Sequence, residues 1–129
     1  MRLLLDTHAL LWAVGAPARL SAEARELLED RANELVVSSA SAWEVATKFR
    51  LGKLPDAAVL VDDWAGVIGR LGAVEIAISA RHALYAGSLV WEHRDPFDRV
   101  LAAQSVLESI PLVSADEVFA SLAGMRVRW

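Results

Sequence analysis

One repeated pattern constrains the fold of this chain more than any other: a short apolar stretch, an acidic residue and then a helix-like pattern. The pattern occurs four times, with residues 3–5 leading into Asp6, residues 35–37 into Glu44 through a run of serines, Asp98 opening the segment 99–103, and residues 111–113 leading into Asp116. Apolar stretches that alternate with helical patterns indicate parallel strands joined by crossover helices. We therefore expect an α/β protein.

The predicted elements form an α/β/α sandwich, in which helices cover both faces of a central, mostly parallel sheet of four to five strands. Strands are predicted at residues 2–5, 34–38, 74–78, 110–113 and 125–129. Helices are predicted at residues 7–14, 22–31, 41–51, 57–71, 80–89, 97–109 and 116–122. Apolar stripes of helical period support the helices, and Ser21 and Ser79 are predicted to cap two of them.

Composition narrows the class of protein. The length predicts one domain spanning residues 1–129, and 55% hydrophobic residues suffice for a core without disulfides or structural zinc. There is no cysteine, which excludes thiol catalysis and suits a reducing cytosol. No apolar run approaches the roughly 18 residues of a membrane span, and Asp6 comes too early for a signal peptide, so we expect a cytoplasmic protein. A net charge of −4 argues against a non-specific DNA binder, but a nuclease with metal at an acidic centre is compatible with it.

The four acids are predicted to converge, because the carboxyl ends of parallel strands face one crevice. Clustered carboxylates repel one another unless a cation neutralises them, and oxygen-only ligands suit Mg²⁺ or Mn²⁺. Each acid also has a structural interpretation as a helix cap: residues 41–44 fit the capping box S-x-x-E, and Asp95 fits an N-cap. Asp6 is the hardest to explain in this way, because an ionised group directly after a buried strand is costly unless it is paired. Taken together, the acids favour a metal site.

Other polar and aromatic residues carry weaker signals. The histidines lack metal-ligand spacing, and we expect packing or substrate-contact roles for His8, His82 and His93. Ser114 is either a loop hydroxyl or a hydrogen-bond donor to a carboxylate or a bound water. No G-x-S-x-G elbow is present, which argues against a serine hydrolase. Trp12 and Trp91 flank loops, so we expect them to face a partner.

Four segments resemble the PIN domain, and within it the VapC-type toxins of bacterial and archaeal toxin–antitoxin pairs. The segments are LLDTHALLW at 4–12, SAWEV at 41–45, HRDPFDR at 93–99 and VSAD at 113–116, so the likeness runs from residue 3 to about residue 120. It implies a PIN-like fold and Mg²⁺- or Mn²⁺-dependent endoribonuclease activity. It assigns the catalytic, metal-binding acids to Asp6, Glu44, Asp98 and Asp116, with Asp95 as a further candidate. Asp-Thr-His at 6–8 departs from the Asp-Thr-Ser common elsewhere in the family.

The likeness also implies partners. Three basic residues near the acids are candidates for contacts with RNA phosphates, namely Lys48, Arg94 and Arg99. The resemblance implies a cognate antitoxin protein and a homodimer. Five tryptophans and the high apolar content support this expectation, because one small core does not readily absorb so much apolar surface. An antitoxin segment would bind in an apolar groove near the site, where a basic side chain could neutralise the acids in place of metal.

Several alternative functions use a similar fold. A haloacid-dehalogenase-type phosphatase needs a second aspartate two residues after the first, and this chain has His8 there. A phosphoaspartyl receiver needs a lysine after a late strand, and residues 111–116 contain none. A non-toxin PIN nuclease in RNA processing fits the same acids. A PIN-like module that only binds RNA or protein predicts loss of the acids, whereas all four are present.

Overall fold

The computed structural model describes residues 1–129, which form five strands and seven α-helices. The strands are β1 (Arg2–Leu5), β2 (Glu34–Ser38), β3 (Val74–Ile76), β4 (Leu112–Val113) and β5 (Val127–Arg128). The helices are α1 (Thr7–Gly15), α2 (Ala22–Glu29), α3 (Ser39–Arg50), α4 (Ala58–Asp62), α5 (Trp64–Leu71), α6 (Ala80–Ser88) and α7 (Pro96–Leu107). Short 3₁₀ helices lie at Pro17–Arg19, Pro55–Ala57 and Glu117–Ser121.

The strands form one sheet in the order β3-β2-β1-β4-β5, and every neighbouring pair is parallel. The chain therefore builds outward from β1 to β3 on one side and then crosses over to add β4 and β5 on the other. The point where the strand order reverses lies between β1 and β4, and crevices for ligands form at such points in open α/β sheets. The predicted α/β sandwich with a parallel sheet is confirmed.

Side chains of the central strand alternate between two cores, as the period of two along a strand requires. Leu3 and Leu5 belong to a cluster that includes residues of α1, α2 and α5. Leu4 points to the other face and packs in a cluster with Leu101 of α7 and Phe119. All of these side chains are buried, and burying each leucine contributes about 1.5–3 kcal/mol. Helices thus cover both faces, and none is long and apolar enough to cross a membrane.

Helix α3 begins two residues earlier than the sequence pattern predicted, at Ser39 instead of Ser41. The N-cap is Ser38, whose hydroxyl accepts a hydrogen bond from the backbone N–H of Ala40 at 3.0 Å. The capping-box interpretation of residues 41–44 is therefore wrong, because Glu44 lies in the second turn of the helix. Its carboxylate therefore does not cap the helix.

Other element bounds also differ from the prediction. The expected helix at 57–71 is divided at Asp63, whose side chain accepts from the Gly66 N–H and starts a new helix. The segment 116–122 forms a 3₁₀ helix instead of an α-helix, and the last strand is only two residues long. The predicted cap at Ser79 is present, and His82 completes a capping box with it.

Candidate active site

Asp6 lies at the carboxyl end of the central strand, beside the point where the strand order reverses. Its side chain is only 6% exposed and caps α1, with Oδ1 accepting from the Ala9 N–H at 2.7 Å. Oδ2 accepts a short hydrogen bond from the hydroxyl of Ser114, which follows β4. Both oxygens are therefore held in fixed directions by two neighbouring elements of the sheet edge.

Ser114 connects two of the predicted acids. Its buried hydroxyl donates to Asp6 and accepts from the backbone N–H of Asp116 at 3.0 Å. Of the interpretations open from the sequence, donation to a carboxylate is the one observed. Asp116 itself is exposed, and its Oδ1 accepts from the Val118 N–H at 3.0 Å as the cap of a 3₁₀ helix. Its carboxylate therefore has a structural contact at the rim of the crevice.

Glu44 enters the same edge from α3 and is 3% exposed. One of its oxygens accepts a short hydrogen bond from the ammonium of Lys48, one turn further along the helix. The start of α3 is tied to the start of α1 by a buried hydrogen bond from the Thr7 hydroxyl to the Ser41 hydroxyl, 2.9 Å long. This bond joins the helix that Asp6 caps to the helix that carries Glu44.

The segment that precedes α7 supplies two further carboxylates. Asp95 is the N-cap of α7, and its Oδ1 accepts from the backbone N–H groups of Phe97 and Asp98 at 2.9 and 3.0 Å. The structural interpretation of Asp95 is therefore correct. The Asp98 side chain makes a 2.7 Å hydrogen bond between Oδ2 and the His93 Nε2. The sequence did not indicate this pairing, because His93 lies in the irregular chain before α7 and Asp98 lies within the helix.

The electrostatics show which acids are close together. Burial raises the pKa of Asp98 from 3.8 to about 6; the hydrogen bond from His93 opposes the rise, and the charges of Asp95 and Glu44 add to it. Burial likewise raises the pKa of Asp6, against the hydrogen bonds from Ser114 and Ala9, and the charge of Glu44 adds to the rise. Glu44 thus interacts with both Asp6 and Asp98, and Asp98 also with Asp95, so the four carboxylates form one cluster of linked charges. Asp116 is not among the leading causes of either shift.

Lys48 is the cation nearest to this cluster. Burial lowers the pKa of its ammonium, but the hydrogen bond and charge of Glu44 outweigh that effect, and the charges of Asp95 and Asp98 raise the pKa further. Lys48 and His93 each hold one carboxylate, and no three acidic or histidine side chains stand close enough together to ligate one ion. The structure therefore gathers four of the five predicted acids electrostatically, but not in ligating positions.

Arg99 has a structural role that the sequence did not predict. Its Nε donates to the Ala86 carbonyl, Nη1 to the carbonyls of Trp91 and His93, and Nη2 to the Leu89 carbonyl, at 2.7–3.1 Å. The guanidinium is engaged in holding the end of α6 and the loop before α7, and a phosphate contact stays a prediction. Lys48 is likewise paired with Glu44, whereas Arg94 is exposed.

A groove of about 380 Å³ lies beside the site, between α1 and the segment 53–60. Leu11, Trp12 and Val14 form part of its apolar wall, and His8 and Arg19 contribute polar groups. The Arg19 guanidinium lies 4.8 Å from the centre of the Trp12 ring, a cation–π contact. Trp12 therefore lines an open groove. Trp91, by contrast, packs on Phe119 and donates its indole N–H to the Ser121 hydroxyl at 2.9 Å.

Comparisons with known proteins agree with this architecture. Over 33 residues the chain is 52% identical to Ribonuclease VapC16 of Mycobacterium tuberculosis, a match that covers 26% of this chain and only 23% of that protein. In fold, it is similar to VapBC2 from Rickettsia felis bound to a DNA fragment from their promoter, with a TM-score of 0.66, 18% identity and coverage of 99% and 98% of the two chains. It is also similar to DNA-bound VapBC from Salmonella typhimurium, with a TM-score of 0.69, 14% identity and coverage of 99% and 97%.

The family model described as "PIN domain" matches residues 3–125, which include every acid of the site and the whole sheet except Arg2 and the strand β5. The match follows the element order and sheet described above, from the strand before Asp6 to the 3₁₀ helix after Asp116. The chain belongs to the PIN domain family.

Proposed function

We propose that this protein is a metal-dependent endoribonuclease that acts as the toxin of a toxin–antitoxin pair. The observation that carries the proposal is the cluster of Asp6, Glu44, Asp95 and Asp98 at the point where the strand order reverses. Such a cluster costs free energy through burial and repulsion, and a structural role does not require several carboxylates in one place. The stretch shared with a protein named as a ribonuclease supports the same activity.

The residues present fit a divalent cation. All candidate donors are carboxylate oxygens, the donor type that Mg²⁺ and Mn²⁺ prefer. Burial raises the pKa values of Asp6 and Asp98, so the folded protein disfavours their charged forms, and a bound cation would relieve this cost. Asp6, Glu44 and Asp98 would hold the ion, with Asp95 as a further candidate and Asp116 at the rim. Lys48 and His93 each engage one oxygen of Glu44 and Asp98, and an ion would compete with them for these oxygens.

Each side chain then has a defined task. A divalent ion held by these carboxylates would lower the pKa of the attacking water and stabilise the charge that develops on the phosphate and the leaving oxygen. Ser114 and the Ala9 N–H keep Asp6 oriented, so this carboxylate needs no rearrangement. Lys48, once released, carries its ammonium beside the cluster, where it can contact the scissile phosphate. His93, once released from Asp98, offers a nitrogen that can exchange a proton at the same place.

The groove beside α1 is the proposed site for the antitoxin. Its apolar wall suits one face of a helix or an extended segment, and it reaches His8, two residues from Asp6. An arginine or lysine from the bound segment would supply the cluster with the positive charge that the metal otherwise provides. Two of the structures similar in fold are VapBC complexes, which is consistent with such a partner. We also propose that the toxin forms a homodimer.

Cleavage of RNA by the purified protein tests the nuclease. Mg²⁺ or Mn²⁺ should support cleavage, EDTA should abolish it, and Asp6→Asn should lower the rate at least ~100-fold, because it removes a charged ligand. Asp30→Asn, a change at an exposed acid, is the matched control and should cleave normally. Full cleavage in EDTA, or by Asp6→Asn, would contradict the proposal.

Expression tests the toxin assignment. The wild type should arrest growth and Asp6→Asn should not, and co-expression with the product of a neighbouring small reading frame should restore growth and yield a co-purifying complex. Light scattering should show a dimer without the partner. A monomeric nuclease that arrests no growth and retains no partner would instead be a non-toxin PIN nuclease.

A further inference from the structure

Trp43 is exposed although it is the largest apolar side chain near the site. More than half of it, 54%, is open to solvent, whereas tryptophan is on average one of the more buried residues. It lies on α3, directly before Glu44. Neither the fold nor the proposed role of the acids explains why an indole should stand here, because the core clusters do not include it.

The ring is held in place despite its exposure. It makes an edge-to-face contact with Phe97, with ring centres 4.6 Å apart and planes at 75°. Phe97 is buried and directly precedes Asp98 in the first turn of α7. The aromatic pair therefore bridges the two helices that carry Glu44 and Asp98. An edge-to-face contact engages at most one face of the indole, so at least one face is available for a flat ligand.

Free positive charge is scarce around the site, so an exposed aromatic ring is a useful contact for a nucleic acid. The cluster is acidic, Arg99 is engaged with backbone carbonyls, and Lys48 is paired with Glu44. Nucleic-acid binding usually depends on many cations that neutralise phosphates, and this chain has a net charge of −4. A nucleobase, in contrast, stacks on an aromatic ring without any requirement for positive charge, and unpaired bases in RNA are commonly recognised in this way.

We propose that Trp43 is a substrate-positioning residue that stacks on an unpaired base of the RNA, next to the phosphate held at the acidic cluster. This inference rests on the proposed ribonuclease function. It predicts a preference for single-stranded or looped RNA, because a paired base already stacked in a helix does not present a free face to the indole. It also predicts that the contact depends on the base and not on the backbone.

Binding measurements isolate the contact from cleavage. In the non-cleaving Asp6→Asn background, fluorescence anisotropy gives the Kd for a mixed-sequence single-stranded 12-nucleotide RNA and for an abasic ribose-phosphate oligomer of the same length. Trp43→Leu should weaken RNA binding roughly 5- to 100-fold, the range of one lost base–aromatic stack, and Trp43→Phe should stay within about threefold of the parent. The abasic oligomer should bind equally to all three proteins. The control is Leu84→Ala, which changes an exposed apolar side chain on a different helix, α6. It should bind RNA as the parent does.

Each result discriminates. Equal RNA binding by Trp43→Leu and the parent overturns the inference, as does an equal loss for the abasic oligomer, which would indicate a structural or interface role. If light scattering shows a changed oligomeric state in Trp43→Leu, and RNA and the abasic oligomer bind equally, the ring belongs to a protein interface. If Trp43→Leu does not fold, the parent protein alone still tests stacking. Equal Kd values of the parent for the RNA and for the abasic oligomer would refute it.

Cleavage kinetics separate this inference from the function on which it rests. In the otherwise wild-type protein with Mg²⁺ or Mn²⁺, Trp43→Leu should raise KM with a smaller effect on kcat, and Trp43→Phe should restore KM. If the wild type cleaves RNA and Trp43→Leu has the same KM, stacking is wrong and the nuclease stands. If the wild type cleaves no RNA, the nuclease proposal fails whatever the binding experiment shows.

Discussion

Replacing Asp98 with asparagine should stabilise the protein at neutral pH, although it removes a carboxylate from the site. The folded protein raises the pKa of this group from 3.8 to about 6, mainly through burial. Well below pH 3.8 the carboxyl is protonated in both the folded and the unfolded chain, so it costs nothing. Between about pH 4 and 6 the unfolded chain releases this proton while the folded chain still holds it, so stability is lost over this range, and above it the folded state carries the full cost of the buried charge.

The size of this effect follows from the shift. A rise from 3.8 to about 6 corresponds to an upper limit of about 3 kcal/mol, at ~1.4 kcal/mol for each unit of pKa. The side chain is 20% exposed, so solvent screening reduces the cost, and we expect a gain of about 1–2 kcal/mol for Asp98→Asn above pH 7. For a chain of this length that corresponds to a melting temperature higher by roughly 3–8 °C. The asparagine oxygen can still accept from His93.

Thermal and urea unfolding in metal-free buffer between pH 4 and pH 8 measures the effect. The difference between Asp98→Asn and the wild type should be largest above pH 7 and should become small near pH 4. Asp30→Asn, at an exposed acid whose oxygen accepts from the Ala32 N–H, is the control and should show a difference close to zero. A variant that is less stable than the wild type at pH 7.5, or a gain independent of pH, would refute the reasoning.

Two further predictions concern the neighbours of the acids. Lys48→Met should strengthen Mn²⁺ binding in calorimetry, because it removes the cation that competes for Glu44; it should also cost about 1–3 kcal/mol of metal-free stability, because it leaves a buried carboxylate unpaired. Unchanged Mn²⁺ affinity would show that Lys48 does not occupy the metal position. Ser114→Ala should destabilise the protein by about 1–3 kcal/mol at neutral pH in urea unfolding and should raise the pKa of Asp6 further, because this hydrogen bond opposes the effect of burial. A Ser114→Ala protein as stable as the wild type would show that the bond contributes little.

The sheet was predictable because its strands are encoded locally. The bounds of β1 and β2 agree with the sequence prediction residue by residue. Strands of a parallel sheet are buried on both faces, so a short uninterrupted apolar run between polar ends marks such a strand directly. The start of α3 was not predictable from pattern alone, because Ser38, Ser39 and Ser41 are all good caps and only the packed structure selects among them.

The sequence predicted the acids of the candidate site and offered one of their partners, Ser114, but it did not predict the others. Asp6 and Asp98 were identified because a carboxylate after a buried strand, or in a family motif, is visible in the sequence. The pairing of Asp98 with His93 and the bonds of Arg99 to loop carbonyls depend on how an irregular segment folds back, which leaves no periodic signal. Trp43 was overlooked because an aromatic residue within a helical pattern is usually part of a core.

The bonds of Arg99 have a consequence for the way the site meets its ligands. The segment between α6 and α7 has no regular secondary structure, and ordering such a chain costs roughly 1–2 kcal/mol per residue in conformational entropy. One planar guanidinium satisfies three carbonyl groups of this segment and one near the end of α6, so this ordering is completed when the protein folds. His93 and Asp95 are consequently preorganised before any ligand arrives, so binding at this site would require little further ordering of the loop.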